Sequence, residues 1–440
     1  MNFFDALFDA KIVAVIGASN KKGKVGTTVF NNLLRSGVNV IPVNINTKWI
    51  GVHKSYEKIT DYQGVIDLAI ICIPAQFVPR TVEECGHKGI HSVIIISSGF
   101  AEVGNKELND ELERVCKTNN VEVLGPNCLG VINCKNKLNA SFFKKVPKYD
   151  TTAFISQSGA LGTAVLDKAL LKNEGFSKFI SVGNMLNTQF HEIIEYLNQD
   201  PETEVICMYV ESLKKGRDFI RVVKHTKKPL IILKAGRSES GAKAASSHTG
   251  SLAGSSKVYD GIFKQFNILS VNTLDELFSL AKMIKTAKKP ESKNVCIVTN
   301  AGGPGVLASD ACENFGLTIA ALPENLKAKL NEKLPSNWSH NNPIDVIGDA
   351  MSDRYIEVFK NVSNKDFYSI LLCILTPQDM TEPEQTANAI IHFEKENKDK
   401  SVFTCFMGGE RLIEAKKILE QNNIINFEEP YDFARIVSKL

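Results

Sequence analysis

The chain has 440 residues, 43% of them hydrophobic and 23% charged, and a formal net charge of +3. That length predicts about three domains, each with enough chain to bury a core. The near-neutral balance excludes a general nucleic-acid binder, and lysine pairs such as Lys21-Lys22 and Lys288-Lys289 read as solvated faces. Ten cysteines run from Cys72 to Cys405 without a C-x-x-C. Cys72, Cys207, Cys296 and Cys373 fall in apolar strand-like runs, where cysteine acts as a small hydrophobe, which is a reduced, cytosolic pattern. Residues 12–16 are an apolar run of strand length only, and Asp5 and Asp9 precede it, so no leader is expected there. No run approaches bilayer length. The chain therefore reads as soluble and cytoplasmic, with no membrane or nucleic-acid partner.

In the first third, predicted strands at 12–16, 38–43, 68–73, 92–96 and 121–124 alternate with helical patterns such as Val29-x-x-x-Leu33-Leu34. That alternation predicts a parallel, doubly wound α/β sheet, with ligands at the carboxyl ends of its strands. The loop after the first strand reads Gly17-Ala18-Ser19-Asn20-Lys21-Lys22-Gly23-Lys24-Val25-Gly26. It does not fit a dinucleotide fingerprint, because Ser19 and Lys22 stand where glycines are needed. The second strand also ends Val43-Asn44 with no acid for a ribose hydroxyl. Small residues and lysines suit a phosphorylated nucleotide held by helix-terminal amides and ammonium groups. An ordinary strand-to-helix turn reads similarly; the lysines at the mouth favour the anion site. Ile73-Pro74 and Ser97-Ser98-Gly99-Phe100 end two further strands on the same edge, and a groove walled by Pro74, Gly99 and Phe100 would take an adenine and an extended chain. Turn chemistry is the plainer reading of each. Asn127, in Leu124-Gly125-Pro126-Asn127-Cys128, is either a polar contact or a turn residue.

Residues 134–150 read as a connector. A second α/β unit follows, with a strand at 152–156 running straight into Gln157-Ser158-Gly159-Ala160-Leu161, a second helix-start anion site. A strand at 179–182, a helix at 190–197 and a strand at 205–210 come next, and Glu211 ends the last of these, where a site carboxylate is expected. After a strand at 229–234 comes a small, polar run. His248 sits in it, in Ser246-Ser247-His248-Thr249-Gly250-Ser251-Leu252, on an expected Gly/Ser/Ala loop, with helical periodicity resuming at Val258. Neutral imidazole can act there as base, ligand or nucleophile. No second His or Cys lies at ligand spacing, so no metal is expected; a functionless surface loop is the plain alternative. Residues 288–293 read as a linker. A third unit has a strand at 295–299, then Asn300-Ala301-Gly302-Gly303-Pro304-Gly305, then a helix at 306–314, with later strands at 368–375 and 402–407. Gly302, Gly303 and Gly305 read as a third anion site, with a tight turn that holds no ligand as the plain alternative, and Asn342-Pro343-Ile344-Asp345 reads as a turn.

These motifs together identify a resemblance. Ser247-His248-Thr249-Gly250-Ser251-Leu252-Ala253-Gly254, Ser156-Gln157-Ser158-Gly159-Ala160, Tyr209-Val210-Glu211-Ser212 and Thr299-Asn300-Ala301-Gly302-Gly303-Pro304-Gly305 resemble the alpha subunit of NDP-forming acyl-CoA synthetases (acetyl-CoA synthetase, ADP-forming), relatives of succinyl-CoA synthetase. The resemblance covers essentially the whole chain. It implies three doubly wound units: a Rossmann-like CoA-binding domain over 1–145 and two flavodoxin-like domains over 150–287 and 293–440. It implies CoA contacts at Gly17, Ser19, Lys24, Val25, Gly26, Val43, Asn44, Ile73, Pro74, Ser97, Ser98 and Gly99, and an acyl-site contact at Asn127. It further implies that His248 becomes phosphohistidine, with helix starts at Gln157-Ser158-Gly159 and at Gly302, Gly303 and Gly305 cradling the phosphoryl group. On the same resemblance, Glu211 would hold the imidazole's other nitrogen. The chain departs from the family at Met185-Leu186-Asn187-Thr188-Gln189, where an acidic position is usual. Nothing resembles an ATP-grasp domain, so ADP or ATP, with Mg, is expected on a separate beta subunit in an α2β2 assembly. A CoA-responsive regulatory module would not need the His248 stretch with both phosphate cradles, and a succinyl-CoA synthetase alpha chain would end near Pro290.

Overall fold

Short runs of aliphatic and β-branched residues, apolar on both faces, form parallel strands because helices cover both sides of the sheet they build. The computed structural model describes residues 1–249 and 255–440, with residues 245–249 described by backbone alone. The chain divides into two compact units, Met1–Leu277 and Phe278–Leu440.

In the first unit, β1 (Ile12–Ile16), β2 (Asn39–Val43), β3 (Leu68–Ile71), β4 (Ser92–Ile95) and β5 (Glu122–Leu124) pair in parallel in the order β2-β1-β3-β4-β5. Alternate residues enter different cores. Val13 and Val15 join one apolar cluster with Leu68 and Ile70, and Ala14 and Ile16 join another with Ala69 and Ile71. The strand order reverses between β1 and β3, the switch point where such sheets open a crevice for ligand.

A second sheet follows in the same unit: β6 (Gly130–Asn133), β7 (Leu138–Ser141), β8 (Thr152–Ser156), β9 (Lys178–Ser181), β10 (Val205–Val210), β11 (Leu230–Lys234) and β12 (Leu269–Val271). Their order is β12-β11-β10-β8-β9-β6-β7. The strands from β12 to β9 are parallel, and the β6–β7 hairpin adds antiparallel to β9. Residues 134–150 are therefore more than a connector, because they contain β7 and the short strand Lys148–Tyr149. The cluster holding Val13 and Leu68 continues through Val131, Ile155 and Ile206, so the two sheets share one core.

The second unit is built on β13 (Asn294–Thr299), β14 (Thr318–Ile319), β15 (Ile344–Asp345), β16 (Ile370–Leu375), β17 (Ser401–Phe406) and β18 (Ile425–Asn426). The order is β14-β13-β16-β17-β18, with β15 also paired to β13, and all pairings are parallel. The expected turn at Asn342 thus contains a short strand. Asn342 is buried, and its side chain donates to Val295 O and Ala320 O and accepts from Ile297 N–H.

Two sequence expectations are corrected by helices. The small, polar run after β11 forms the helix Glu239–Thr249 rather than a loop; the side chain of His248 and residues 250–254 lie outside the described residues. The helix expected from Val306 begins at Gly302, so the glycines are its first turn. Both runs are made of small residues whose weak periodicity hides them, yet alanine and serine carry no steric bar to helix. Among the described residues no helix is long and apolar enough to cross a membrane.

Candidate active site

Three helix starts present open amides. At the first, Gly17 has φ +94° and its N–H donates to Val43 O, joining the ends of β1 and β2. The helix Val25–Arg35 then lies so close that a Cβ on Gly26 would stand 2.0 Å from Gly17 O, and one on Gly17 2.5 Å from Cys72 O. Only paired glycines permit this approach. Val25 and Gly26 N–H have no partner among the described residues, and Lys21, Lys22 and Lys24 are exposed around them. Asn44, where a dinucleotide site would hold an acid, donates from its side chain to Ala18 O at 2.6 Å. Thr27 Oγ1 donates to Ser19 O at 2.7 Å. The loop thus gathers open backbone donors and exposed ammonium groups, the chemistry that suits a phosphate.

The ends of β3, β4 and β5 are joined beside it. Ser97 Oγ donates to Ile73 O at 2.5 Å, and Asn127 N–H to Ser97 O at 2.9 Å. Pro74 and Ser98 are exposed and Gly99 half-buried, but Phe100 is wholly buried in the core and cannot wall a groove. Its aromatic ring is apolar cover for the sheet. Asn127 has φ +58°, and its side-chain amide points to Asn184 Oδ1 at 3.4 Å. Asn184 in turn donates to Glu102 Oε2 at 2.5 Å, and Glu102 also accepts from Gly99 and Phe100 N–H. Burial works against ionisation of Glu102, but the bonds from Gly99, Asn184 and Phe100 outweigh it and lower its carboxyl below the usual range. Glu102 and Asn184, which the motifs did not single out, hold the Gly99 loop to the strand end beyond β9. The departure at Met185–Gln189 has a visible local use. Asn187 accepts from Val123 N–H and donates to Val121 O, pinning that stretch to β5.

The second helix start follows β8. Ser158 caps the helix Gly159–Leu171 by accepting from Leu161 N–H at 3.2 Å, leaving Gly159 and Ala160 N–H without partners among the described residues. The Gln157 side chain is engaged at the end of β10: Oε1 accepts from Glu211 N–H at 2.8 Å and Ser212 N–H at 3.0 Å, and Nε2 donates to Ser212 Oγ at 3.2 Å. The main-chain N–H of Gln157 donates to Tyr209 O. Glu211 is only 6% exposed at the end of β10. Tyr209 lies two residues before it on the same strand face. Burial, the Glu211 charge and a hydrogen bond to Glu211 push the Tyr209 phenol up to about 12. From β11, the buried Lys234 donates to Glu211 O at 2.8 Å and to Ala235 O. Burial lowers the Lys234 ammonium below its usual range, with Glu211 opposing the shift.

The third start repeats this design in the second unit. Ser156 Oγ donates to Ser158 O, and Thr299 Oγ1 likewise donates to Ala301 O. Where Gln157 braces the neighbouring strand end, Asn300 accepts from Thr376 N–H at 2.9 Å and donates to Thr376 O at 3.0 Å. Gly302 and Gly303 N–H have no partners among the described residues, and Gly305 N–H bonds to Ala301 O. One difference is electrostatic. A neutral Thr376 stands where the first unit has Glu211, and Asp345 Oδ2 would lie 3.2 Å from a Cβ added at Gly302. Among the described residues no group of three or more His, Cys, Asp or Glu could hold a metal ion.

Comparison with known proteins finds three family models along the chain. Residues 11–133 match the family model of the CoA binding domain, 150–284 the succinyl-CoA ligase like flavodoxin domain, and 295–438 the ligase-CoA domain. The chain is 42% identical over 438 residues to the acetate–CoA ligase [ADP-forming] II subunit alpha of Pyrococcus furiosus, covering 98% of this chain and 95% of that one. It is 40% identical to the acetate–CoA ligase [ADP-forming] I of Archaeoglobus fulgidus, a longer protein of which it spans 63%. A solved structure of the dinucleotide forming acetyl-coenzyme A synthetase 1 of Ca. Korarchaeum cryptofilum, in complex with phosphate and ADP, superposes with a TM-score of 0.90 at 34% identity, covering 100% of this chain and 96% of that one. The chain belongs to the alpha subunits of the ADP-forming acyl-CoA synthetases, ligases of the succinyl-CoA synthetase superfamily.

Proposed function

We propose that the chain interconverts acyl-CoA and phosphate with acyl phosphate and CoA, and then carries the phosphoryl group on His248 to a nucleoside diphosphate. A phosphate oxygen attacks the thioester carbonyl, the C–S bond breaks, and CoA leaves as thiolate, which takes up a proton. One imidazole nitrogen of His248 then attacks phosphorus and the carboxylate leaves. The observation that carries the reading is the end of β10: a buried carboxylate, Glu211, is tied through Gln157 to a helix start with two open amides. A carboxylate there accepts the other imidazole N–H and fixes the tautomer, and the amides with their helix dipole favour the phosphoryl oxygens. Ser158 and Gly159 supply one phosphate cradle and Gly302, Gly303 and Gly305 another; Gln157 acts by positioning Glu211.

In this reading the three functional domains span 1–145, 150–287 and 293–440. Gly17, Ser19, Lys24, Val25 and Gly26 bind phosphates of CoA, Val43, Asn44, Ile73, Pro74, Ser97, Ser98 and Gly99 line its path, and Asn127 meets the acyl group. ADP or ATP with Mg binds an ATP-grasp beta subunit, in an α2β2 assembly. The greater length of the Archaeoglobus relative supports a missing part of this kind. Incubating the assembled enzyme with γ-labelled ATP should give an acid-labile, base-stable phosphoprotein, and His248→Asn should leave this chain unlabelled. Normal turnover by His248→Asn overturns the phosphohistidine route.

A further inference from the structure

Glu211 is held from both sides by side chains that the reaction itself does not use. Parallel register sets Tyr209 of β10 opposite Ser156 of β8, and Val210 opposite Lys234 of β11. Gln157 and Lys234 therefore flank the strand end, and each reaches one residue forward to a different main-chain group of Glu211. The Gln157 carbonyl takes the Glu211 N–H and the Lys234 ammonium takes the Glu211 C=O. Both side chains are buried, and the ammonium also lies 4.6 Å over the Tyr259 ring. Burying an ammonium is costly, and a leucine would close the end of an apolar strand more cheaply. What the lysine supplies and leucine cannot is a charge-assisted bond that fixes one carbonyl.

We propose that Gln157 and Lys234 are positioning residues that clamp both main-chain groups of Glu211, so that its carboxylate is presented in one orientation to the reacting imidazole. The inference rests on the reading above, in which Glu211 orients His248. With the backbone pinned on both sides, only the side-chain torsions of Glu211 remain to be set, and the bonded Tyr209 phenol restricts those. A loosened carboxylate would leave binding of the phosphoryl donor intact and slow the transfer step, because orientation matters most in the transition state.

The test uses the full chain with labelled acetyl phosphate as phosphoryl donor, following base-stable label on His248. Gln157→Met and Lys234→Met should slow saturated labelling by about 10–100-fold, the usual effect of removing a partner that orients a functional group. The half-saturating concentration should stay within a few-fold of wild type. Gln157→Glu keeps an acceptor for both N–H groups and should recover most of the rate. Because the clamp acts through Glu211, adding Gln157→Met to Glu211→Gln should cost little beyond Glu211→Gln alone. Wild-type rates in both methionine variants overturn the clamp while the phosphohistidine reading stands. So do full additivity with Glu211→Gln, or loss that follows melting temperature with no recovery in Gln157→Glu. A wild-type chain that takes no label, or a Glu211→Gln chain that labels normally, overturns the role of Glu211 and the clamp with it.

Discussion

Gly26 shows how a single missing methyl group shapes a binding loop. The atom that a Cβ there would meet at 2.0 Å is the carbonyl oxygen of Gly17, with the carbonyl carbon behind it at 2.8 Å. Neither can rotate away as a side chain could, so Gly26→Ala must push the helix Val25–Arg35 off the end of β1. We expect a loss of about 1–3 kcal/mol in stability, the range for overpacking, and clearly weaker CoA binding. Gly159→Ala is the matched control. Its nearest neighbour would be Leu129 N at 3.7 Å, so its stability should stay within about 0.5 kcal/mol of wild type. Urea unfolding and calorimetric titration with CoA read both quantities, and an unperturbed Gly26→Ala chain contradicts the argument. The loop glycines were legible in the sequence because glycine spacing marks a close backbone approach. The role of Gln157 was not, since its partner at Glu211 stands 54 positions away and the bond exists only once β8 and β10 pair. Lys234 left a fainter sign: a lone lysine closing the apolar run Leu230-Ile231-Ile232-Leu233.

Strands were the most legible elements, because a parallel strand covered on both faces must be a short, nearly unbroken apolar run. Residues 12–16, 152–156 and 205–210 fall where expected, and the others shift by a residue or two at their ends. The helix Glu239–Thr249 was hidden because Ala, Ser and Gly give no apolar stripe to read. Element ends also carry a test of their own. Lys178 opens β9 and Asp200 caps the helix Phe190–Gln199; the two meet at 2.7 Å with both side chains buried, and Lys178 also reaches Glu202 at 3.1 Å. Burial opposes ionisation of Asp200, but hydrogen bonds from Lys178 and Thr203 prevail and lower its carboxyl. A carboxyl lowered in the folded state stabilises the fold above its unfolded pKa, and that contribution is lost as pH falls through the folded value. The wild-type chain should therefore lose stability steeply below about pH 4. Lys178→Met strands a buried carboxylate and should cost about 3–5 kcal/mol at pH 7, while flattening the acid loss. Thermal melts of both chains between pH 3 and 7 decide the matter: parallel curves would mean that the pair does not couple to folding.

At the scale of the molecule, one shared core predicts how the chain comes apart. The cluster that runs from Val13 and Leu68 into Ile155 and Ile206 makes the first two sheets a single cooperative body, although they match two separate family models. The sequence could not reveal this union, because hydrophobic runs name a core's residues but not which sheet faces which. Ten cysteines report on it: Cys72, Cys85, Cys116, Cys128, Cys134 and Cys207 lie in the first unit, and Cys296, Cys312, Cys373 and Cys405 in the second. All but the half-buried Cys72 are buried. Burial pushes Cys85, Cys116, Cys128, Cys134 and Cys312 up to about 12. Since the thiolate is the reactive form, the native chain should resist alkylation at pH 8. In rising urea each thiol becomes reactive when its own cooperative unit opens. Brief alkylation followed by peptide mass spectrometry should show the six cysteines of the first unit rising together at one urea midpoint. The four of the second unit should share a midpoint of their own. If Cys85, Cys116 and Cys128 become reactive while Cys207 is still protected, the first sheet opens alone, and the shared core does not bind the two sheets into one folding unit.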